Sequence, residues 1–229
     1  MQIAENLKDI QQKIQKAALD AGRAGDSVKL IAVSKTKPME LIDAAYAEGQ
    51  MDFGENRVQE LREKHPELPE ARWHMIGTLQ RNKVKYIAPF IHLIHSVDSR
   101  RLLEEIEKQA AKNERTISCL LQLNISDEDA KSGMDESEAQ SILEDIEQFP
   151  HIHIKGLMGM AAFVSDEGTI RNQFRRLRMA ADTFGNLTHS RIDMEELSMG
   201  MSGDFEIAIE EGATMVRVGS AVFGSRYYP

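Results

Sequence analysis

The stretch Leu30-Ile31-Ala32-Val33-Ser34-Lys35 is the first of eight short apolar runs, and the number of these runs decides the fold. Four consecutive apolar residues closed by polar ones are typical of a buried strand. The eight candidate strands cover residues 28–33, 51–54, 73–76, 93–97, 117–125, 154–160, 196–199 and 215–218. Helical patterns separate them at residues 38–48, 56–64, 79–88, 99–113, 135–148, 168–184 and 203–211. This alternation predicts parallel strands, in either a doubly wound sheet or a closed barrel.

The strand number and the chain length together favour the closed barrel. A (β/α)8 barrel needs eight strands, and 229 residues can form such a barrel as one domain over residues 1–229. Only 11 residues follow Val218, which is too few for a full eighth helix. Residues 1–24 carry an amphipathic helix with Leu7, Ile10 and Ile14 on one face. We therefore expect a single α/β (TIM) barrel whose last helix position is covered by this N-terminal helix.

Composition excludes several classes of partner. The 28 Lys and Arg residues against 37 Asp and Glu give a net charge of −9, which repels nucleic-acid phosphates and anionic lipids. A single Cys excludes an intrachain disulfide and a cysteine-based zinc site. The charged N-terminus lacks a signal peptide, and no segment has the length and apolarity of a membrane helix. We expect a cytoplasmic protein that binds neither nucleic acid, membranes nor a metal.

The first strand ends in Lys35, and barrels of this kind carry their sites at the carboxyl ends of the strands. Alternation along the strand puts Lys35 on the face of Ile31 and Val33. If that face points into the barrel, the amine is poorly hydrated and can attack a carbonyl carbon, as Schiff-base formation requires. A lysine at a strand end can equally extend its amine to solvent, and the strand alone does not decide between the two.

The last strand, Met215-Val216-Arg217-Val218-Gly219, carries a guanidinium within an apolar run. Arg217 shares a strand face with Met215 and Gly219. An unpaired guanidinium is strongly unfavourable in such surroundings, so Arg217 needs a partner. That partner is either a bound ligand or a buried carboxylate, such as one near Glu196.

Two segments rich in Gly and Ser follow the seventh and eighth strands, Ser198-Met199-Gly200-Met201-Ser202-Gly203-Asp204 and Gly219-Ser220-Ala221-Val222-Phe223-Gly224. Gly219 leaves room for a ligand, and turns of this kind offer N–H and hydroxyl groups to an anion. Barrels often bind phosphate after strands seven and eight. A reactive amine, an interior Arg, a phosphate site and no metal site are together typical of a pyridoxal 5′-phosphate (PLP) site.

Other polar candidates have simpler explanations. Asn56, after the second strand, either bonds a ligand or caps the next helix. His74 is expected to be a hydrogen-bonded core histidine. His151 and His153 share a strand face, but they lie at the end of the barrel away from the site, without an evident third metal ligand.

The sequence resembles the pyridoxal phosphate homeostasis protein family. The resemblance runs from about residue 33 to residue 224, and in combination its motifs are highly specific. The motifs are Val33-Ser34-Lys35-Thr36-Lys37-Pro38, Phe53-Gly54-Glu55-Asn56, Trp73-His74-Met75-Ile76-Gly77-Thr78-Leu79-Gln80-Arg81-Asn82-Lys83, Gly156-Leu157-Met158-Gly159-Met160, Ser198-Met199-Gly200-Met201-Ser202-Gly203-Asp204 and Arg217-Val218-Gly219-Ser220.

This resemblance implies the barrel of the alanine racemase N-terminal domain, with PLP bound as an internal aldimine. It implies that Lys35 forms the Schiff base and that Arg217 faces the pyridine nitrogen. It implies that the phosphate is held by Ser202, Gly219 and Ser220. It implies that the site is also lined by Ser198, Met201 and Asn56. An Arg beside the pyridine nitrogen keeps that atom unprotonated, which weakens the ring as an electron sink.

The resemblance further implies a role in PLP (vitamin B6) homeostasis and in amino-acid and keto-acid balance, without an established reaction and without catalytic residues. Racemases of this fold use a second acid/base group, which comes from an additional C-terminal domain. We expect the barrel to occupy the whole of this sequence, which leaves no residues for such a domain. Racemisation needs protons on both faces of Cα, and only Lys35 is evident here. We expect a monomer, with apo forms of PLP-dependent enzymes as acceptors of the cofactor. The alternatives are a PLP-dependent racemase or lyase of low activity, and a cofactor-free Schiff-base aldolase of a sugar phosphate.

Overall fold

The computed structural model describes residues 2–126 and 133–224. Its strands are β1 (Lys29–Val33), β2 (Asp52–Glu55), β3 (Arg72–Met75), β4 (Leu93–Val97), β5 (Ile117–Gln122), β6 (Ile152–Met158), β7 (Ile192–Met201) and β8 (Met215–Val218). Its α-helices are α1 (Gln2–Asp20), α2 (Met39–Ala47), α3 (Val58–Lys64), α4 (Arg100–Lys112), α5 (Glu136–Glu144), α6 (Glu167–Phe184), α7 (Phe205–Glu210) and α8 (Ser220–Phe223). Residues 225–229, part of the predicted single domain, lie outside the described residues.

Within these described ranges the eight strands close into one barrel in chain order, with all neighbours parallel. Closure is made by β1 and β8, where Ile31 pairs with Arg217. The predicted (β/α)8 barrel is therefore confirmed, and the doubly wound alternative is wrong.

The apolar core has two layers, because alternate strand residues face the barrel interior and the surrounding helices. The interior cluster is small and contains Ile31, Leu93, Leu120, Met158 and Met215. A much larger cluster fills the space between strands and helices, and it includes the outward-facing residues of the strands. Since so few apolar side chains fill the interior, much of it is left to inward-facing polar residues.

Helix α1 lies where an eighth outer helix would be expected. It packs against α2, α7 and α8 and buries Leu7, Ile10 and Ile14. Asn6 Nδ2 also donates to the carbonyl oxygen of Val222 in α8, at 2.9 Å. The predicted N-terminal helix is thus confirmed. Among the described helices, none combines the length and apolarity that crossing a membrane requires.

Some elements differ from their predicted form. Strand β7 extends over Ile192–Met201 rather than residues 196–199. The predicted strand was too short because the first half of β7 is polar and lacks the apolar pattern of a buried strand. The predicted helix at 79–88 is a 3-10 helix over Arg81–Tyr86. Pro89 disfavours the α conformation at Ala88, so an α-helix is not expected to continue to residue 88.

Candidate functional site

A cavity of about 430 Å³ opens at the carboxyl ends of the strands. Its wall is built from the ends of β1, β2, β7 and β8 and from the loop after β6. The structure brings seven of the eight predicted cofactor-binding residues to this wall: Lys35, Asn56, Met201, Ser202, Arg217, Gly219 and Ser220. A cavity of this size suits a small organic ligand.

Lys35 immediately follows β1 and is half-buried in the cavity wall, next to Val33. The residue after it, Thr36, has a φ of 62°, in the left-handed region that β-branched residues rarely adopt. The Thr36 N–H donates to Glu60 Oε1 at 2.6 Å, which helps to offset this unfavourable conformation. The turn thereby orients Lys35 as part of the cavity wall, as the Schiff-base hypothesis requires.

A buried polar group, here called the outer cluster, lies behind this turn between the barrel and α3. It consists of Ser34, Glu55, Glu60 and Lys64. Lys64 Nζ donates to Glu55 Oε1 at 2.7 Å and to the Ser34 carbonyl oxygen at 2.9 Å, and Ser34 Oγ donates to Glu55 Oε1 at 2.7 Å. Burial raises the pKa of Glu55 to about 7, against the lowering effect of Lys64. The outer cluster therefore anchors the backbone on both sides of Lys35.

Arg217 forms the floor of the cavity and is only 4% exposed. Its Nη1 donates to the carbonyl oxygen of Ser198 at 2.7 Å and to Ser198 Oγ at 2.6 Å, and its Nη2 donates to the carbonyl oxygen of Gly159 at 3.1 Å. Burial lowers the pKa of Arg217 to about 10, while the carboxylate of Asp204 acts in the opposite direction. The guanidinium therefore remains charged at neutral pH.

The alternative partner for Arg217, a carboxylate near Glu196, is not the one that the structure provides. Glu196 Oε1 lies 3.5 Å from Lys29 Nζ, and Glu196 Oε2 accepts from Thr214 Oγ1 at 2.7 Å.

Ser198, the eighth predicted site residue, also differs from expectation. It is fully buried behind Arg217 rather than in the cavity wall, because its position in β7 faces the barrel interior.

The two predicted Gly/Ser segments meet at one side of the cavity. Ser202 and Ser220 are both exposed, and their Oγ atoms lie 3.4 Å apart. A Cβ atom at Gly219 would lie 2.9 Å from the carbonyl oxygen of Val33. A glycine is needed at position 219 because β1 approaches its backbone closely. The space that we expected Gly219 to leave for a ligand is occupied by Val33.

Asn56 follows β2 and lines the cavity. The residue at the N-cap of α3 is Arg57, without a capping bond from its side chain, so Asn56 does not cap this helix. A Cβ atom at Gly77 would lie 2.5 Å from the carbonyl oxygen of Asn56. The missing side chain at Gly77 therefore allows Asn56 to occupy its place beside the cavity.

The barrel interior below Arg217 holds four polar residues, here called the inner chain: Ser198, His95, His74 and Asp52. His95 Nδ1 lies 2.8 Å from Ser198 Oγ, and His95 Nε2 lies 2.9 Å from His74 Nδ1. His74 Nε2 lies 2.9 Å from Asp52 Oδ1. His74 is thus the hydrogen-bonded core histidine that was expected. His95 and Asp52 were missed, although strand alternation puts His95 on the same face as the interior residue Leu93.

The lower end of the inner chain brings Asp52, His74 and His92 together, with one potential ligand atom from each within 4.8 Å of the others. Burial lowers the pKa of His92 to about 4. However, Arg72 Nη2 donates to Asp52 Oδ2 at 2.6 Å, and the charge of Lys29 also acts on this carboxylate. Two cations around one carboxylate disfavour a further cation, so we do not assign a metal centre here.

His151 and His153 have separate acidic neighbours and do not converge. His151 Nδ1 lies 2.7 Å from Glu107 Oε1, and His153 Nε2 lies 2.9 Å from Asp193 Oδ2.

Two further features of the cavity were not predicted as site residues. Lys37 lines it, and its Nζ donates to the carbonyl oxygens of Phe223 and Gly224 at 3.1 and 3.0 Å. Phe163 and Val164 form an exposed apolar rim on the loop after β6. Exposed apolar residues in a loop carry no strand or helix periodicity, so only Lys37, in the Ser34–Pro38 motif, offered a signal in the sequence.

Comparison with known proteins identifies relatives of this chain over its full length. Residues 2–227 match the sequence model of the family described as "Alanine racemase, N-terminal domain". The chain is 40% identical to the pyridoxal phosphate homeostasis protein of Aquifex aeolicus, covering 100% of both chains. It is 38% identical to the protein of the same name from Escherichia coli K12, covering 99% of this chain and 97% of the relative.

Solved structures give the same result. PipY of Synechococcus elongatus with PLP bound superposes with a TM-score of 0.84 at 36% identity, covering 97% of this chain and 100% of PipY. Alanine racemase from Clostridium difficile superposes with a TM-score of 0.77 at 14% identity, covering all of this chain and 57% of the racemase, and thus shares the fold. The chain therefore belongs to the pyridoxal phosphate homeostasis protein family, built on a barrel of the alanine racemase N-terminal type.

Proposed function

We propose that this protein binds PLP in the cavity at the carboxyl ends of the strands and holds it on Lys35 as a Schiff base. In this proposal it serves PLP homeostasis and does not catalyse an amino-acid reaction of its own. The observation that carries the proposal is the convergence of Lys35, Arg217, Ser202 and Ser220 on one cavity of about 430 Å³.

The chemistry of these side chains fits the three parts of the cofactor. PLP supplies an aldehyde that condenses with a primary amine with loss of water, and Lys35 is such an amine. Ser202 and Ser220 offer two neighbouring hydroxyl groups for the phosphate. Lys37 adds a positive charge beside the same segment, where its Nζ bonds the carbonyl oxygens of Phe223 and Gly224.

The floor of the cavity supports a role in binding rather than in catalysis. The charged guanidinium of Arg217 can donate a hydrogen bond to the ring nitrogen but cannot supply it with a full proton. An unprotonated ring nitrogen is a weaker electron sink, so carbanion chemistry at a bound amino acid is disfavoured. The names of the relatives, and the PLP-bound structure of PipY, support the same ligand and the same role.

The proposal is tested by adding PLP to the purified protein, recording the absorption spectrum, and reducing with borohydride before peptide mass spectrometry. We expect one phosphopyridoxyl group per chain, attached to Lys35. The variant Lys35→Ala should lose the covalent adduct. Lys37→Met removes the neighbouring amine of the same cavity; it should weaken the binding of the phosphate but keep the adduct on Lys35 at saturating PLP.

An adduct on Lys37, or none, would contradict the site. Turnover of an amino acid at about 1 per second or faster would contradict the non-catalytic role and favour a racemase or lyase. Trapping of a sugar phosphate on Lys35 without PLP would favour the aldolase. Incubation of the loaded protein with an apo PLP-dependent enzyme tests transfer, which should restore the activity of that enzyme faster than an equal concentration of free PLP does.

A further inference from the structure

The inner chain connects the floor of the cavity with the opposite end of the barrel. At the upper end Ser198 Oγ contacts Arg217 Nη1, and at the lower end Asp52 contacts Arg72, whose side chain is 45% exposed. The two histidines between these ends are fully buried. Every link from Arg217 to Arg72 measures between 2.6 and 2.9 Å, so the line of hydrogen bonds is continuous.

The protonation of this line can be worked out from its lower end. Burial acts to raise the pKa of Asp52, but the hydrogen bond from His74 and the surrounding positive charge outweigh it, and the pKa lies below its ordinary value. Asp52 is therefore a carboxylate that only accepts, so His74 donates through Nε2–H. Burial lowers the pKa of both His74 and His95, so both rings are neutral and each has one N–H.

The remaining links then follow one after another. His74 Nδ1 carries no hydrogen and must accept from His95 Nε2–H. His95 Nδ1 is therefore an acceptor as well, and it accepts the hydrogen of Ser198 Oγ–H. Arg217 can only donate, so it bonds a lone pair of the Ser198 oxygen, and the inner chain holds the single hydrogen of that hydroxyl away from the guanidinium. All donors in the inner chain point away from the cavity, from the guanidinium towards the carboxylate.

We propose that the inner chain positions Arg217, with His95 and Asp52 as positioning residues that act on a bound ligand without touching it. Two of the hydrogen bonds of Arg217 go to main-chain carbonyl groups, which are present whatever the side chains are. The third goes to Ser198 Oγ and is the one that the inner chain controls. The state of the far end of the barrel thereby affects the group that faces the cavity.

The effect on PLP rests on the proposed function, but the direction of the hydrogen bonds does not. The first experiment therefore uses the protein without ligand. Nitrogen-15 NMR of the histidine rings should find both His74 and His95 neutral with hydrogen on Nε2. A hydrogen on Nδ1 of His95 would overturn the proposal, because His95 would then donate to Ser198, and the hydroxyl hydrogen of Ser198 would no longer be held away from Arg217.

The second experiment measures PLP binding by absorption and fluorescence in the wild type, in three variants of the inner chain and in one control variant. His95→Leu removes the acceptor for Ser198 and should raise the Kd for PLP about tenfold and shift the absorption band. His95→Asn retains an acceptor oxygen near the position of Nδ1 and should restore most of the affinity and the spectrum. Asp52→Asn acts from the far end and should raise the Kd about threefold with a smaller spectral shift.

Glu196→Gln is the matched control, because it removes a carboxylate at the same end of the barrel that bonds Lys29 and Thr214 but does not belong to the inner chain. Its Kd should stay within about twofold of wild type. Circular dichroism checks that each variant folds, and if His95→Leu does not fold, Asp52→Asn decides the question.

A wild type that fails to bind PLP overturns the proposed function but leaves the NMR test standing. A wild type that binds PLP, together with folded Asp52→Asn and His95→Leu variants that share its Kd and spectrum, overturns the positioning role. If Glu196→Gln raises the Kd as much as Asp52→Asn does, the positioning role is also overturned. PLP binding would then depend on the net charge at that end of the barrel and not on the inner chain.

Discussion

The inner chain and the outer cluster are two buried polar networks on opposite faces of the barrel wall, and β2 contributes a residue to each, Asp52 and Glu55. They differ in how their charges are placed. In the inner chain two neutral histidines separate the charges of Arg217 and Asp52. In the outer cluster Glu55 and Lys64 are in direct contact at 2.7 Å. The inner chain therefore connects two charged residues through neutral hydrogen-bonding groups. The outer cluster instead places opposite charges in direct contact behind Lys35.

The two networks should respond to acid in opposite directions. Burial lowers the pKa of His74 and His95 below 6.5, so their contribution to stability is present above pH 6.5 and is lost as the pH falls through the lowered values. Burial raises the pKa of Glu55 from 4.5 to about 7. Its contribution is therefore present below pH 4.5 and is lost as the pH rises through about 7.

The largest effect is expected from Lys64→Met at pH 8. This change leaves the Glu55 carboxylate buried without its cation, and we expect a loss of about 3–5 kcal/mol in the free energy of unfolding, measured by urea denaturation. The double variant Lys64→Met, Glu55→Gln should recover most of the loss. An equally large loss in the double variant would mean that Lys64 stabilises the fold by packing rather than by charge.

A smaller effect is expected from Glu55→Gln, which should flatten the pH dependence of stability. The wild type should lose up to about 3 kcal/mol from Glu55 between pH 4.5 and pH 7, and the variant should not. Denaturation series at several pH values test this. An unchanged slope in the variant would show that Glu55 is ionised throughout this range.

His95→Leu should destabilise the protein by about 1–3 kcal/mol at pH 7, because Ser198 and His74 lose their shared partner inside the barrel. The variant should also lose part of the decline in stability below pH 6.5. Thermal unfolding at pH 5.5 and 7.5 measures both. The idea that the inner chain is sensitive to acid fails if the variant and the wild type decline equally.

The smallest effect is expected from Arg72→Gln, at the solvent end of the inner chain. The side chain is 45% exposed, so its ion pair with Asp52 is screened and should contribute less than about 1 kcal/mol. Denaturation at low and high salt should find a difference that shrinks as salt is added. A salt-independent loss above about 2 kcal/mol would mean that Asp52 depends on this cation for its charge.

The barrel could be predicted from the sequence because each strand can be recognised from a few neighbouring residues. Each strand is a short apolar run, and the number of runs determines whether a parallel sheet can close. Lys35 and the two Gly/Ser segments follow strands at the end where barrels carry their sites, and Arg217 interrupts an apolar strand, so the sequence indicated their place in the cavity wall. Ser202 and Ser220 were singled out within those segments only by the family resemblance.

The two polar networks could not be predicted in the same way. His95 is a single polar residue in the apolar strand β4, and its role depends on how the register brings it against His74 and Ser198. Lys64 ends a helix whose pattern gives no sign that its amine is buried. Such contacts depend on the packing of elements that are distant in sequence, and periodicity within one element carries no information about them.

The position of α1 has a consequence for the order of folding. This helix packs against α2 but also against α7 and α8, so part of its contacts come from elements that are distant in the sequence. The pairing of β1 with β8 has the same property. Contacts between such distant segments form slowly, and a chain that emerges from the ribosome must wait for β8 before β1 can pair with it, and for α7 and α8 before α1 can pack against them. The Lys35 end of the cavity, which joins β1 to β8, is therefore expected to be among the last parts of the molecule to form.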